Sequence, residues 1–177
     1  NCKIILCLNL NFLGMKNLIL IRHAKSSWEA PVHDKERLLA TRGVQDAHLV
    51  SQKISEFLPK TNIIWSSTAK RAAETAVIFA QNLQWPLESI VFKEELYTFD
   101  MSKLENTIKS CQDSYENVIL FGHNEAITEF VNKFGDIFID NVPTAGFVSI
   151  SFPQESWSQI KAGKTTKILF PRDLKYD

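Results

Sequence analysis

The sequence predicts an α/β domain with a largely parallel sheet and helices on both faces. Three observations carry this expectation. Short apolar runs with β-branched members alternate with segments of helical periodicity through most of the chain. Three of those runs stop abruptly at polar residues: Arg22-His23, Ser66-Ser67 and Gly122-His123. Near residue 147 the pattern changes to strand-like segments without intervening helices, which adds antiparallel pairing at one edge.

Leu18 to Ile21 is continuous, apolar and short, as a strand buried on both faces should be. Thr41-Arg42-Gly43 opens a helix: Val44, Ala47, Leu49-Val50, Ile54, Phe57 and Leu58 recur at helical spacing until Pro59 stops them. Asn62 to Trp65 reads as a second buried strand. Ser66-Ser67-Thr68 then offers N-cap side chains to a helix carrying Ala72, Ala73, Ala76, Ile78 and Phe79, which runs to about Leu83. Ile90 to Phe92 is a short strand, and Leu104, Ile108 and Cys111 mark a helix. Val118 to Phe121 is a third buried strand, followed by a helix from Glu125 to Phe134. Strands are expected around Phe147 to Ser151, from Ser156 to Lys161 and from Thr165 to Phe170, with Ala162-Gly163-Lys164 as a hairpin turn.

At 177 residues the chain is one domain by length, and 45% hydrophobic residues suffice for a core. No repeat, low-complexity tract or linker divides it. Twenty basic and twenty acidic residues cancel. That leaves no electrostatic case for nucleic acid or an anionic membrane as partner. Cys2, Cys7 and Cys111 are few, odd in number and scattered, so neither a disulfide framework nor a cysteine zinc site is expected. The cysteine usage fits a cytoplasmic location. The stretch from Cys2 to Leu13 is apolar apart from one early Lys but too short to span a bilayer, and Met15 follows closely. Residues 1–14 read as an upstream extension, with 15–177 as the domain. The competing reading is a truncated signal or anchor.

In an open parallel sheet, ligands bind beyond the carboxyl ends of the strands. The three polar strand ends therefore bring two histidines and two arginines to one place: Arg22, His23, Arg71 and His123. Arginine is permanently charged and grips oxyanions with a planar fork. A neutral imidazole can attack phosphorus and carry the phosphoryl group covalently. Phosphoryl transfer asks for little beyond positioning and charge neutralisation. These four residues are suited to that chemistry.

The motifs resemble the histidine phosphatases, also called the phosphoglycerate-mutase-like superfamily. The family hallmark, Arg-His-Gly after the first strand, is Arg22-His23-Ala24 here. The SixA-type subgroup is a nearer match, since its heptad Arg-His-Ala-Lys-Ser-Ser-Trp is present from Arg22 to Trp28. Asp34, Arg37, Leu39, Arg42 and Gly43 follow that subgroup's pattern, with Leu38 in place of its proline. Ser66-Ser67 to Arg71-Ala72, with Thr75, resembles the second arginine motif. Gly122-His123-Asn124 resembles the second histidine motif. The resemblance spans about 16–152. It implies a three-layer α-β-α fold, His23 as nucleophile, a phosphate pocket completed by Arg22, Arg71 and His123, and no metal or other cofactor. Ser26 is a further candidate donor to phosphate. Asp34 and Arg37 either belong to the site or pair to order the loop, and Thr144 precedes a late strand where such enzymes keep a polar group.

An alkoxide leaving group needs a general acid, whereas the imidazole of phosphohistidine needs less help. Glu94 and Glu95 are the candidates for such an acid. The short stretch before them leaves no room for a large lid, and an open site favours phosphate presented on a protein surface. The expected substrate is therefore a phosphohistidine protein, such as a phosphorelay domain. The alternatives are a small phosphate ester, cleaved by a general phosphomonoesterase, and a non-catalytic phosphate-binding module. His33 and His48 match no motif and read as surface or packing residues. Gly163-Lys164-Thr165 resembles a P-loop ending, but Ser158 stands where the first glycine is required.

Overall fold

The computed structural model describes residues 15–60 and 62–175. The expectation about residues 1–14, with Cys2 and Cys7, lies outside them. The sheet has six strands: β1 (Lys16–Arg22), β2 (Ile63–Ser67), β3 (Ile90–Lys93), β4 (Asn117–Gly122), β5 (Phe147–Phe152) and β6 (Lys164–Leu169). Their order is β3-β2-β4-β1-β5-β6. The first four in that order run parallel, while β5 and β6 add antiparallel pairs at one edge. Among the described residues four α-helices cover it: α1 (Thr41–Ile54), α2 (Lys70–Asn82), α3 (Met101–Lys109) and α4 (Ala126–Phe134).

Strand alternation divides the core into two layers. Leu18 and Leu20 of β1 pack with Leu104, Ile108, Ile127 and Phe130 under α3 and α4. Ile19 and Ile21 pack with Ala47, Val50, Ala76 and Phe79 under α1 and α2. All four β1 side chains are buried, so β1 is apolar on both faces, as a central parallel strand must be. Burying each contributes roughly 1.5–3 kcal/mol. Leu20→Ala would leave a cavity in the middle of one layer and cost about 2–5 kcal/mol.

Two sequence expectations differ from the structure. Ser156 to Lys161 is not a strand; it holds a 3-10 turn at Trp157–Gln159 inside the β5–β6 connection. Trp157 is fully buried, its backbone N–H donating to Asp113 and its indole to the Tyr115 carbonyl. Burial of that ring overrides the local β-propensity. The tight turn expected at Ala162-Gly163-Lys164 is consequently the end of a longer connection, with β6 starting at Lys164. Nor do Ser66, Ser67 or Thr68 cap α2. Its N-cap is Ala69, which makes no side-chain cap bond; Ser67 Oγ accepts the Ala69 N–H itself, while Ser66 and Thr68 are engaged elsewhere.

Candidate active site

β2, β4 and β1 are consecutive in the sheet, so their carboxyl ends lie side by side. Arg22 registers against Gly122 across β1 and β4. The residues that follow, His23, His123 and the Ser67–Arg71 corner, are thereby collected at one edge. The loop after β1 is fixed by close packing. Ala40 N–H donates to the Lys25 carbonyl at 2.8 Å, and a Cβ on Gly43 would fall 2.1 Å from that oxygen. Only glycine lets α1 start so near this loop.

The His23 ring is buried, and its Nδ1 lies 2.8 Å from the Ala24 carbonyl. A carbonyl only accepts, so Nδ1 carries the proton and Nε2 keeps a free lone pair. The Arg71 Nε–H donates to that Nε2 at 3.3 Å. Burial, with Arg71 and Arg22 adding to it, pushes the imidazole pKa down to about 3, against the pull of the Ala24 hydrogen bond. His23 is therefore a neutral base with its free nitrogen facing a guanidinium. Ala24 fits beside it: its side chain is buried, its backbone has ordinary negative φ, and its N–H donates to Thr75 Oγ1 at 3.0 Å.

Arg71 is 1% exposed and rigidly held. Its Nη1 donates to the Asp34 carbonyl at 2.5 Å and its Nη2 to Asp34 Oδ2 at 2.8 Å. Asp34 also accepts from the Tyr97 hydroxyl at 2.8 Å and from Arg37 Nη2 at 2.8 Å. Burial opposes ionisation of Asp34, but the bonds from Tyr97, Arg71 and Arg37 outweigh it and hold the carboxyl down to about 2. Asp34 and Arg37 do pair, and through Arg71 the pair also reaches the site. Ser26 Oγ accepts from Arg37 Nη1 at 2.8 Å, which ties it to the same loop.

His123 is buried, with its ring centroid 5.1 Å from that of His23. Its Nε2 lies 2.8 Å from Ser67 Oγ. Burial pushes its pKa down to about 2, helped by His23 and Arg71. Tyr97 and Phe99 pack edge-on against its ring, each at 5.5 Å. Arg22 Nη1 donates to the Val142 carbonyl at 2.8 Å, and Asn124 and Asn141 join the same small network. Two buried nitrogens at this end of the sheet have no partner: Arg22 Nε and His123 Nδ1. Unsatisfied buried nitrogens are costly in a core but useful where an oxyanion is to be met.

The remaining candidates lie around this cluster. Glu94 is exposed; it bonds Lys35 Nζ at 2.7 Å and accepts from Thr68 Oγ1 at 2.5 Å. The Lys35 and Thr68 hydrogen bonds hold its pKa below the usual carboxylate value. Glu95 is exposed. Thr144 is half-buried and lines a cleft with Arg42 and Pro171, and the next residue, Ala145, donates its N–H to the Arg22 and His23 carbonyls. Trp28 is 73% exposed and stacks on Arg37 with its ring centroid 3.6 Å away. An open groove of about 820 Å³, lined by Pro31, Val32 and Leu38, runs up to Arg37. His48 is half-buried beside Asn82, and His33 is exposed. Among the described residues, no three His, Cys, Asp or Glu side chains are grouped to share a metal ion. No helix among them is long and apolar enough to cross a membrane.

The sequence had no local signal for Ser67 as a partner of His123, for Tyr97 on Asp34, or for Asn141 on Arg22. Each contact joins residues dozens of positions apart.

Known proteins resemble this chain in both sequence and fold. The model of the histidine phosphatase superfamily (branch 1) matches residues 18–120. An uncharacterized protein of Mycobacterium leprae, ML1117, is 31% identical over 112 residues, spanning 61% of this chain and 66% of that one, just under two thirds of its length. The protein histidine phosphatase SixA complexed with tungstate superposes with a TM-score of 0.76 at 18% identity, covering 90% of this chain and 99% of that one. A chain assigned as phosphohistidine phosphatase SixA from Nakamurella multipartitia gives 0.73 at 19%, covering 89% and 97%. A mycobacterial glucosyl-3-phosphoglycerate phosphatase gives 0.63 at 11%, covering 86% and 98%. Matched over more than half its length by the family's sequence model, this chain belongs to the histidine phosphatase superfamily (branch 1), a family of phosphatases, and its fold is of the SixA type.

Proposed function

We propose that this chain hydrolyses phosphohistidine in proteins, in two steps and without a metal, through a phosphoryl group carried on His23. The observation that carries the reading is the His23 ring: Nδ1 bonded to the Ala24 carbonyl, Nε2 unprotonated and accepting from Arg71 Nε–H. In the first step Nε2 attacks phosphorus while the bond from phosphorus to the substrate imidazole breaks. The substrate phosphohistidine reacts with its far ring nitrogen protonated, so the imidazole released when the P–N bond breaks is neutral. Arg22, Arg71 and His123 supply positive charge and N–H donors to the phosphoryl oxygens. In the second step water attacks the phosphorus, the bond to Nε2 breaks, and orthophosphate leaves.

The preference for an imidazole leaving group rests on what the acids near the site hold. Asp34 and Glu94 are kept ionised by their partners, so neither has a proton to give an alkoxide at neutral pH. Burial and the Asp34 hydrogen bond push the Tyr97 phenol pKa up, which makes it a poor acid. Between α2 and Glu94 there is only a 3-10 turn and β3, so no lid is built there. A phosphoryl group standing on a protein surface can reach such a site.

The test compares hydrolysis of a phosphohistidine-containing protein with that of a phosphomonoester panel, using His23→Ala as control. Fast release from phosphohistidine, slow release from monoesters and no release by His23→Ala are expected. Faster monoester turnover, lost in Glu95→Gln or Glu94→Gln, would make the chain a general phosphomonoesterase. Tight orthovanadate binding with no turnover of either class would make it a phosphate-binding module. Wild-type activity in folded His23→Ala would overturn the mechanism.

A further inference from the structure

We infer that Ser67 sets the tautomer of His123, so that its Nδ1–H is presented to the transferring phosphoryl group. Ser67 is thus a positioning residue, and its use in catalysis rests on the phosphatase reading above.

The argument is one of hydrogen-bond accounting. Ser67 is fully buried at the end of β2. Its Oγ already accepts the Ala69 backbone N–H at 3.2 Å. Its own proton has one acceptor in reach among the described residues, His123 Nε2 at 2.8 Å. If Ser67 donates, Nε2 is the bare nitrogen and Nδ1 carries the proton of a neutral imidazole. The only group then left without a partner is an N–H, at Nδ1. In the other tautomer Nε2–H donates to Ser67. The buried hydroxyl proton then has no acceptor, and the Nδ1 lone pair has no donor. Two unsatisfied groups replace one, at about 1–3 kcal/mol each.

The chemical consequence is directional. The His123 ring lies 5.1 Å from that of His23, centroid to centroid; an Nδ1–H there can donate to a phosphoryl oxygen, whereas a bare Nδ1 would present a lone pair to it. Tyr97 and Phe99 pack edge-on against the same ring. The position of the ring is thus a matter of packing, and its protonation pattern a matter of one serine. The burial that keeps His123 neutral makes this choice of tautomer necessary.

The experiment reads the tautomer directly, by nitrogen NMR of histidine-labelled protein without substrate. Wild type should show His123 protonated at Nδ1. Ser67→Ala should shift it toward Nε2–H or a mixture. With phosphohistidine as substrate, kcat should fall about tenfold to hundredfold in Ser67→Ala, with KM little changed. Ser67→Thr, which keeps the hydroxyl, should return the rate to within a few-fold. An Nε2–H tautomer in wild type would overturn the inference whether or not the variants fold. So would a Ser67→Ala protein that turns over at the wild-type rate. Absence of turnover by wild type itself would sink the phosphatase reading alone, and the tautomer measurement would still decide the role of Ser67.

Discussion

β1 carries a cation at each end, Lys16 buried and Arg22 half-buried, and the two are treated oppositely. Lys16, at its start, is 2% exposed. Its ammonium donates to the Asp113 carbonyl at 2.5 Å and sits 6.0 Å from the Trp157 ring centroid. Arg22, at its end, spends one nitrogen on the Val142 carbonyl and leaves Nε buried with no partner. Burial lowers the Arg22 pKa, against a smaller pull from Glu125. A cation whose donors are used is part of the fold. A cation held in place with a donor to spare is prepared for a ligand it has not yet met. His123 at the same edge follows the second pattern, since its Nδ1 is spare as well.

The sharpest way to break this contrast is to exchange the effects. Arg22→Ala should lower kcat/KM by about a hundredfold or more while the melting temperature stays near wild type. Steady-state kinetics alongside calorimetry would decide it; a large loss of stability with modest loss of rate would make Arg22 structural. Lys16→Met should do the reverse. It strands the Asp113 carbonyl and should cost about 1–3 kcal/mol in denaturant unfolding, with the rate per folded molecule unchanged. Arg37→Ala loosens both Asp34 and Ser26 and should slow turnover about tenfold, the effect expected of a residue that orients a working group. Glu94→Gln should leave phosphohistidine turnover unchanged, since its carboxylate serves an exposed ion pair.

Acid offers a graded test of the same edge. Folded His23 and His123 stay neutral down to about pH 3 and 2, whereas unfolded histidine titrates near about 6.5. Below that value the unfolded chain binds protons that the folded chain does not, so stability falls as pH drops from 6.5 toward 3. The denaturation midpoint should therefore drop between pH 7.5 and 5.0. Asp34 does not interfere in that interval, because its own contribution is lost only as pH falls below about 4 toward 2. His123→Gln should show a smaller drop. An unchanged drop would mean that the buried imidazoles are not what acid attacks.

The core was readable because strand side chains alternate: Leu18 to Ile21 could only be a strand buried on both faces. Arg22, His23, Arg71 and His123 were readable for a related reason, since apolar strands that stop at polar residues announce where a parallel sheet ends. Trp157 misled the reading, because what fixes it is a bond to Asp113 and a carbonyl at Tyr115, neither of them local. Ser67 passed for a capping residue, because a serine before a helix usually is one. Glu94 stood only as a candidate acid, and nothing in its neighbours along the chain reveals Lys35 or Thr68 beside it.

By itself, the sequence determined most of the strands and helices, Ser156 to Lys161 excepted, and which polar side chains follow the strand ends. Local periodicity encodes both. The tertiary structure decided the order β2-β4-β1, which nitrogen of His23 is free, that Asp34 grips Arg71, and that His123 faces a serine. Those outcomes depend on hydrogen bonds between residues far apart in the chain, and such bonds are made only once the layers have packed.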